Sequence, residues 1–259
     1  MKTMLVLSMG ALLLAGTLSA QTPVPEWQAG VDKMKSLIQT NPAQASEEVG
    51  ELLKGKNKKN VDLVTSVAHV YLDAGKLTEA QEYLAMAKKA DNKDPKVSVL
   101  EGDIALAQKN IGQACQLYEQ AIYFDPNCKE AYLKYAQAYK SASPALAIEK
   151  LEQLKAVDPN CLEADRELAE VYYSSNRFGK AAEMYAKFID TPLATEDDML
   201  KYAFALFLNH DFEKSLQVAQ KGLQKNARHA AFNRLVMYNN TDLKRYEDAE
   251  KAAHAFFNA

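Results

Sequence analysis

The sequence predicts an all-α fold, a right-handed α-solenoid of antiparallel helical hairpins, on three observations. Apolar side chains such as Val97, Leu100, Ile104 and Ala107 recur at three- and four-residue spacing, the period of an amphipathic helix and not of a strand. Ala80, Ala114, Ala147, Ala181, Ser215 and Ala249 form a column of small residues separated by 34, 33, 34, 34 and 34 positions. Proline punctuates the same step, closing successive units at Pro126 and Pro159. A pair of helices cannot bury both of its apolar faces alone, so a unit repeated in this way stacks on its copies.

One unit can be read from Asp94 to Pro126. Asp94 caps a helix whose first turn holds Pro95, where a missing N–H costs least. That helix runs to about Lys109, and Asn110-Ile111-Gly112 supplies the turn. The second helix carries Ala114, Leu117, Tyr118, Ala121 and Ile122 on one stripe. It stops at Asp125-Pro126, because the residue before a proline is pushed out of the helical region.

Further columns keep the phase. Ala68, Gly102, Ala136, Ala169 and Ala203 are small where paired helices approach, while Leu84, Tyr118, Leu151 and Tyr185 are bulky between pairs. Leu77, Ile111, Phe178, Phe212 and Tyr246 mark the turns. These residues resemble the tetratricopeptide repeat family, whose unit is a 34-residue helix-turn-helix with small, aromatic and proline positions in this order. The resemblance covers residues 61–259, with a weaker relative from Trp27 to Asn60. Departures are Asn92 where proline belongs, a residue lost at Ser141-Ala142-Ser143-Pro144, and Ala219 and Ala253 in place of the bulky side chain.

The domain plan follows in order. Met1-Lys2, the apolar run Met4 to Leu18 and the small site Leu18-Ser19-Ala20 read as a signal peptide over 1–20, which implies an exported protein of the periplasm or cell envelope. The apolar run is too short to span a bilayer, so no membrane span remains after signal removal. Residues 21–60 hold an N-terminal capping hairpin in which Trp27 packs on the first full repeat, followed by a basic stretch, Gly55 to Asn60, read as a solvated turn. Six repeats then occupy 61–94, 95–128, 129–161, 162–195, 196–229 and 230–259. The last helix ends on Phe256 and Phe257 without a polar cap, which predicts either that the natural chain continues or that a partner or second copy covers this end.

Composition narrows the chemistry. With 48% hydrophobic and 25% charged residues the chain is an ordinary folded one, and a formal charge of −3 gives no basic footprint for nucleic acid. Cys115, Cys128 and Cys161 are an odd number, and equivalent positions one repeat apart lie beyond disulfide reach, so three free thiols are expected. No CxxC, HxH or HExxH spacing points to a metal, and no cofactor is expected. His69, His210, His229 and His254 are scattered over different repeats, Asp197-Asp198 sits at a helix start where the macrodipole favours acids, and no catalytic set can be singled out. Asn239-Asn240-Thr241 matches a glycosylation sequon, a weak signal.

The expected function is therefore a non-enzymatic protein-binding scaffold. In this family the first helix of each pair lines the concave face, which implies contact with a protein or extended peptide by Asp103, Gln137, Arg166, Glu170 and Tyr173, and by an apolar patch of Leu200, Phe204, Phe207, Leu208 and Tyr238. Relatives that clasp a terminal carboxylate use Lys and Asn where this chain has Thr65 and His69, Val99 and Asp103, Leu133 and Gln137, so that specialisation is not expected. An acid-leaning channel suits a basic or neutral segment instead. The alternative is a regulatory or substrate-presenting segment of a larger envelope protein or enzyme.

Overall fold

A computed structural model describes residues 24–257. The signal segment 1–20 and the start of the lead-in lie outside the described residues, as does the end of the last repeat.

The described residues form fourteen helices and no strand. The N-terminal hairpin is α1 (Gln28–Leu37) with α2 (Pro42–Leu52), followed by a 3-10 turn over Gly55–Lys59. Six hairpins follow: α3 (Val61–Asp73) with α4 (Leu77–Ala90), α5 (Pro95–Ala107) with α6 (Ile111–Phe124), and α7 (Lys129–Tyr139) with α8 (Pro144–Val157). Then come α9 (Leu162–Ser174) with α10 (Phe178–Phe188), α11 (Glu196–Leu208) with α12 (Phe212–Lys225), and α13 (Ala230–Asp242) with α14 (Tyr246–Phe257).

Helix starts are set by side chains that take up otherwise unpaired N–H groups. Asp94 accepts from Lys96 N at 2.9 Å, Asn60 from Leu63 N at 3.2 Å and Asn110 from Gln113 N at 3.2 Å. Thr195 and Asp198 form a reciprocal capping box at α11. The cap at Asn110 corrects the expected turn: Ile111 and Gly112 belong to α6, and α5 ends at Ala107. The chain reverses through Lys109, whose φ is +62°.

The same left-handed corner recurs at Gly75, Asn176, His210 and Lys244. In each, the next N–H reaches back five residues, as Asn110 N to Ala105 O at 2.9 Å and Asp211 N to Leu206 O at 2.9 Å, which satisfies the helix's last carbonyls. The unit 129–161 lacks this corner. Its first helix has 11 residues where α5 and α9 have 13, and Ser143 N bonds Tyr139 O at 2.7 Å. The lost residue is thus absorbed in the turn.

The core is a strip running the length of the stack. Ala68, Ala136, Ala169 and Ala203 are buried, and a Cβ on Gly102 would lie 2.5 Å from the Tyr118 ring. Leu84, Tyr118, Leu151 and Tyr185 are buried as the bulky column requires. Where Ala219 replaces the large side chain, Phe232 of α13 supplies volume and lies against Gly222. Trp27 packs against the cluster formed by α1–α5. Asn239, the sequon asparagine, is fully buried and donates to Ser215 Oγ at 2.9 Å, so the folded chain does not present it for glycosylation.

Curvature follows from which helices touch. First helices pack side by side from α1 and α3 through α5, α7 and α9, and again from α11 to α13, whereas α4, α6, α8, α10 and α12 each pack against the two first helices flanking them. The side built from first helices is therefore the tighter, concave one. The ladder loosens between α9 and α11, where backbone contact is sparser than between the other neighbouring first helices and ion pairs bridge the two. Just before that looser step α10 has only 11 residues, because Pro192 expels Thr191 from helical geometry and Thr191 N turns to Phe188 O at 2.9 Å.

Candidate functional site: the concave face

Ion pairs cross the concave face from one first helix to the next. Asp62 pairs with Lys96, Lys129 with Glu163 at 2.8 Å, and Arg166 with Asp198 at 3.0 Å. His69 Nε2 stands 3.0 Å from Asp103, and Gln137 donates to Glu167 at 2.8 Å. Partners are 30 to 34 positions apart, so a side chain meets its equivalent in the next repeat or the residue one turn earlier.

Within this ladder one three-residue arrangement occurs twice. Tyr118 O–H donates to Asp103 at 2.7 Å and Lys134 Nζ lies 2.7 Å from the same carboxylate. Tyr185 O–H donates to Glu170 at 2.7 Å and Lys201 Nζ lies 2.9 Å from it. Each member of the second set is 67 positions after its counterpart, two repeats on. In the intervening repeat the places are held by Leu151, Gln137 and Glu167, so the lysine is replaced by an acid. Burial alone would raise the Asp103 carboxyl, but His69, Lys134 and Tyr118 hold it below the ordinary value, while burial pushes the Tyr118 hydroxyl up.

These contacts locate the expected site residues. Asp103 is 8% exposed, with every contact internal, so it braces α3, α5, α6 and α7 and offers little to a ligand. Arg166 and Glu170 are likewise engaged across to α11, and Lys201 is shared between Glu170 and Asp197, the latter at 2.8 Å. Gln137 is exposed. Tyr173 packs edge-on against Phe178 at 5.7 Å.

The apolar patch is brought together. Leu200, Phe204 and Phe207 are half-buried against the α11–α14 cluster, and Leu208 and Tyr238 remain 43% and 40% exposed. Phe207 stacks on Tyr238 at 6.0 Å and on Phe212 at 5.5 Å, while the Arg234 guanidinium lies over Phe204 at 5.8 Å. The aromatic neighbour of Tyr238 is Phe207, one turn beyond its repeat equivalent Phe204.

Sequence reading missed Lys134 and Lys201 and took Tyr118 and Tyr185 as packing alone. The signal was present as a tyrosine 15 residues after an acid and a lysine 31 after it, recurring at 67.

Other chemistry is sparse. A pocket of about 330 Å³ opens on the concave face beside Trp27, Asp62, Thr65, His69, Lys96 and Glu130. Cys115, Cys128 and Cys161 are free thiols, with burial pushing Cys115 up to about 11 and raising the other two. Among the described residues no group of His, Cys, Asp and Glu is placed to hold a metal ion, and no helix is long and apolar enough to cross a membrane.

Comparison with known proteins places this architecture. The family model described as tetratricopeptide repeat matches residues 67–127 and 137–194. No curated protein matches the sequence significantly. Among solved structures, the C-terminal part of a tetratricopeptide-repeat-containing protein from Cytophaga hutchinsonii superposes with a TM-score of 0.63 at 18% identity, covering 88% of this chain and 94% of that one. PilW, described as a widely conserved type IV pilus biogenesis factor, gives a TM-score of 0.60 at 17% identity over 78% of this chain and 94% of its own. Pseudomonas aeruginosa pilF gives 0.59 at 16% identity over 80% and 95%. At these identities the likeness is one of fold. With the helical hairpins, the small and bulky columns in phase and the family match over these two stretches together, the repeats of this chain are tetratricopeptide repeats.

Proposed function

We propose that the chain is a non-enzymatic interaction scaffold of the cell envelope that holds a protein or extended peptide along its concave face. The fold itself suggests a protein–protein interaction scaffold. The observation that favours the concave face is a change within one column of first-helix residues. Asp103, Gln137 and Glu170 are polar, and the next two members are Phe204 and Tyr238, the latter 40% exposed. Aromatic side chains on a solvated inner wall suit an apolar anchor of a partner.

Two experiments test this reading. A photo-cross-linking residue at Tyr238 in the source cell should trap a discrete protein, and one at the convex, exposed Tyr123 should not; equal patterns from both positions overturn the concave-face assignment. N-terminal sequencing of the chain from that cell should begin at Gln21; a chain beginning at Met1 overturns export through a cleaved signal.

The reading includes self-association through the C-terminal end, supported by Phe257 standing 81% exposed beside Phe256 on α14. Light scattering should give a concentration-dependent dimer that Phe257→Ser abolishes, and a strictly monomeric wild type overturns it.

A further inference from the structure

Resting on that reading, we infer that the partner of the apolar patch is an extended segment carrying a basic side chain about four residues from an apolar one. The apolar side chain lies on Phe207, Leu208 and Tyr238, and the basic one meets Glu167.

The case for the basic residue is a break in the charge pattern of the first helices. Lys134 and Lys201 occupy one column, each paired with an acid on the preceding first helix. Glu167 occupies that column between them and faces Gln137. Gln137 satisfies Oε1, while Oε2 is buried with no hydrogen-bond partner and makes no ion pair. Among the nearby cations, Arg166 is held by Asp198, Lys201 by Glu170 and Asp197, and Arg234 lies over Phe204. Lys140, just past the end of α7, does not pair with Glu167. A carboxylate left without a counter-charge favours a cation; because Oε2 is enclosed, the arriving cation takes the place of the exposed Gln137 amide at Oε1.

Geometry sets the spacing. Tyr173 is the repeat equivalent of Phe207, so Phe207 lies one first helix over from Glu167 and six residues along, with Tyr238 against it on α13. Six residues at about 1.5 Å each and one interhelical step of about 10 Å give a separation of roughly 13 Å. An extended peptide covers that distance in about four residues at about 3.3 Å each.

The test is a displayed library of random peptides of about twelve residues, panned on the folded full-length chain. Enriched peptides are then measured by fluorescence anisotropy on the wild type, Glu167→Lys, Glu167→Gln and Tyr238→Ser, each checked for native circular dichroism. The expected pool carries Lys or Arg three to five positions from Phe, Leu, Trp or Tyr. Its affinity should fall about fivefold or more in Glu167→Lys, by less in Glu167→Gln and strongly in Tyr238→Ser. Peptides that need Tyr238 but show no basic preference, or that ignore Glu167→Lys, overturn this inference and leave the concave-face reading standing. A library that yields no peptide dependent on Tyr238 overturns both.

Discussion

The ring of Tyr118 lies across Gly102, so close that a Cβ there would sit 2.5 Å from Tyr118 Cε1. The hydroxyl end of the ring is fixed by its 2.7 Å hydrogen bond to Asp103, so the ring cannot swing aside without leaving a buried carboxylate short of a donor. Gly102→Ala should therefore destabilise by about 1–3 kcal/mol, although alanine is the better helix former by about 1 kcal/mol. Tyr118→Phe should cost about 1–3 kcal/mol by removing one of the donors to Asp103. Urea unfolding of the two variants checks both, and a Gly102→Ala variant as stable as the wild type would show that the ring is not held.

The same carboxylate gives the fold a pH dependence of known sign. Asp103 titrates lower in the folded chain than in the unfolded one, so its stabilisation is fully present above the ordinary carboxylate range of about 4 and is lost as pH falls through the depressed value. Asp103→Asn should be less stable than the wild type at pH 6.5. The gap should narrow steadily below about pH 4, where the wild-type carboxyl also becomes neutral. Denaturation midpoints at pH 6.5, 4.5 and 3 would show it, and a gap that widens on acidification contradicts the depressed value.

Two lysines stand where backbone geometry favours glycine. Lys109 and Lys244 have φ of +62° and +60° and are exposed, while Gly75 fills the same corner in the first full repeat. The left-handed conformation costs an ordinary L-residue about 1 kcal/mol, so Lys109→Gly and Lys244→Gly should each stabilise by up to about 1 kcal/mol. Gly75→Ala should move the other way. Melting temperatures of the three variants decide it.

The thiols should be slow as well as unlinked. Burial is the largest cause raising all three, and Cys115 is pushed up to about 11, so little thiolate exists at pH 8. Alkylation of the native chain should be slow, with the half-buried Cys128 reacting first, and all three should react rapidly in guanidinium. Mass mapping without reductant should find no bridge within the chain.

The architecture was legible because a stack repeats its packing demands. Alanine at 80, 114, 147 and 181 answers the same close approach four times, and the eye finds the period before any helix is built. The bracing of the concave face was not legible, because neighbouring first helices lie at an angle and the contacts fall up to four positions short of the repeat length. Lys134 therefore meets Asp103, 31 residues before it, not its own column. The turn before α6 was misplaced because Gly112 looked like the corner, whereas the cap at Asn110 and the reach-back bond to Ala105 put the corner on Lys109. Nor does a sequon reveal that the cross-helix hydrogen bond to Ser215 holds Asn239 inside.

The apolar patch separates packing from binding by exposure. Phe204 and Phe207 are half-buried against the α11–α14 cluster, so Phe204→Ser and Phe207→Ser lose real packing as well as any partner contact. Since a fully buried phenylalanine costs about 3–5 kcal/mol when truncated, these should cost roughly half that. Leu208 and Tyr238 are 43% and 40% exposed on the same surface, so Leu208→Ser and Tyr238→Ser should lower stability by about 1 kcal/mol or less. An aromatic anchor contributes about 2 kcal/mol or more to binding, so Tyr238→Ser should weaken partner capture at least tenfold while the melting curve barely moves. Phe207 stacks on Tyr238 at 6.0 Å, so the double variant should lose less stability than the two single losses added together. Thermal melts and binding measured on the same four proteins decide the matter: a Tyr238→Ser chain that melts like the wild type and still captures its partner at full strength removes the patch as a binding site.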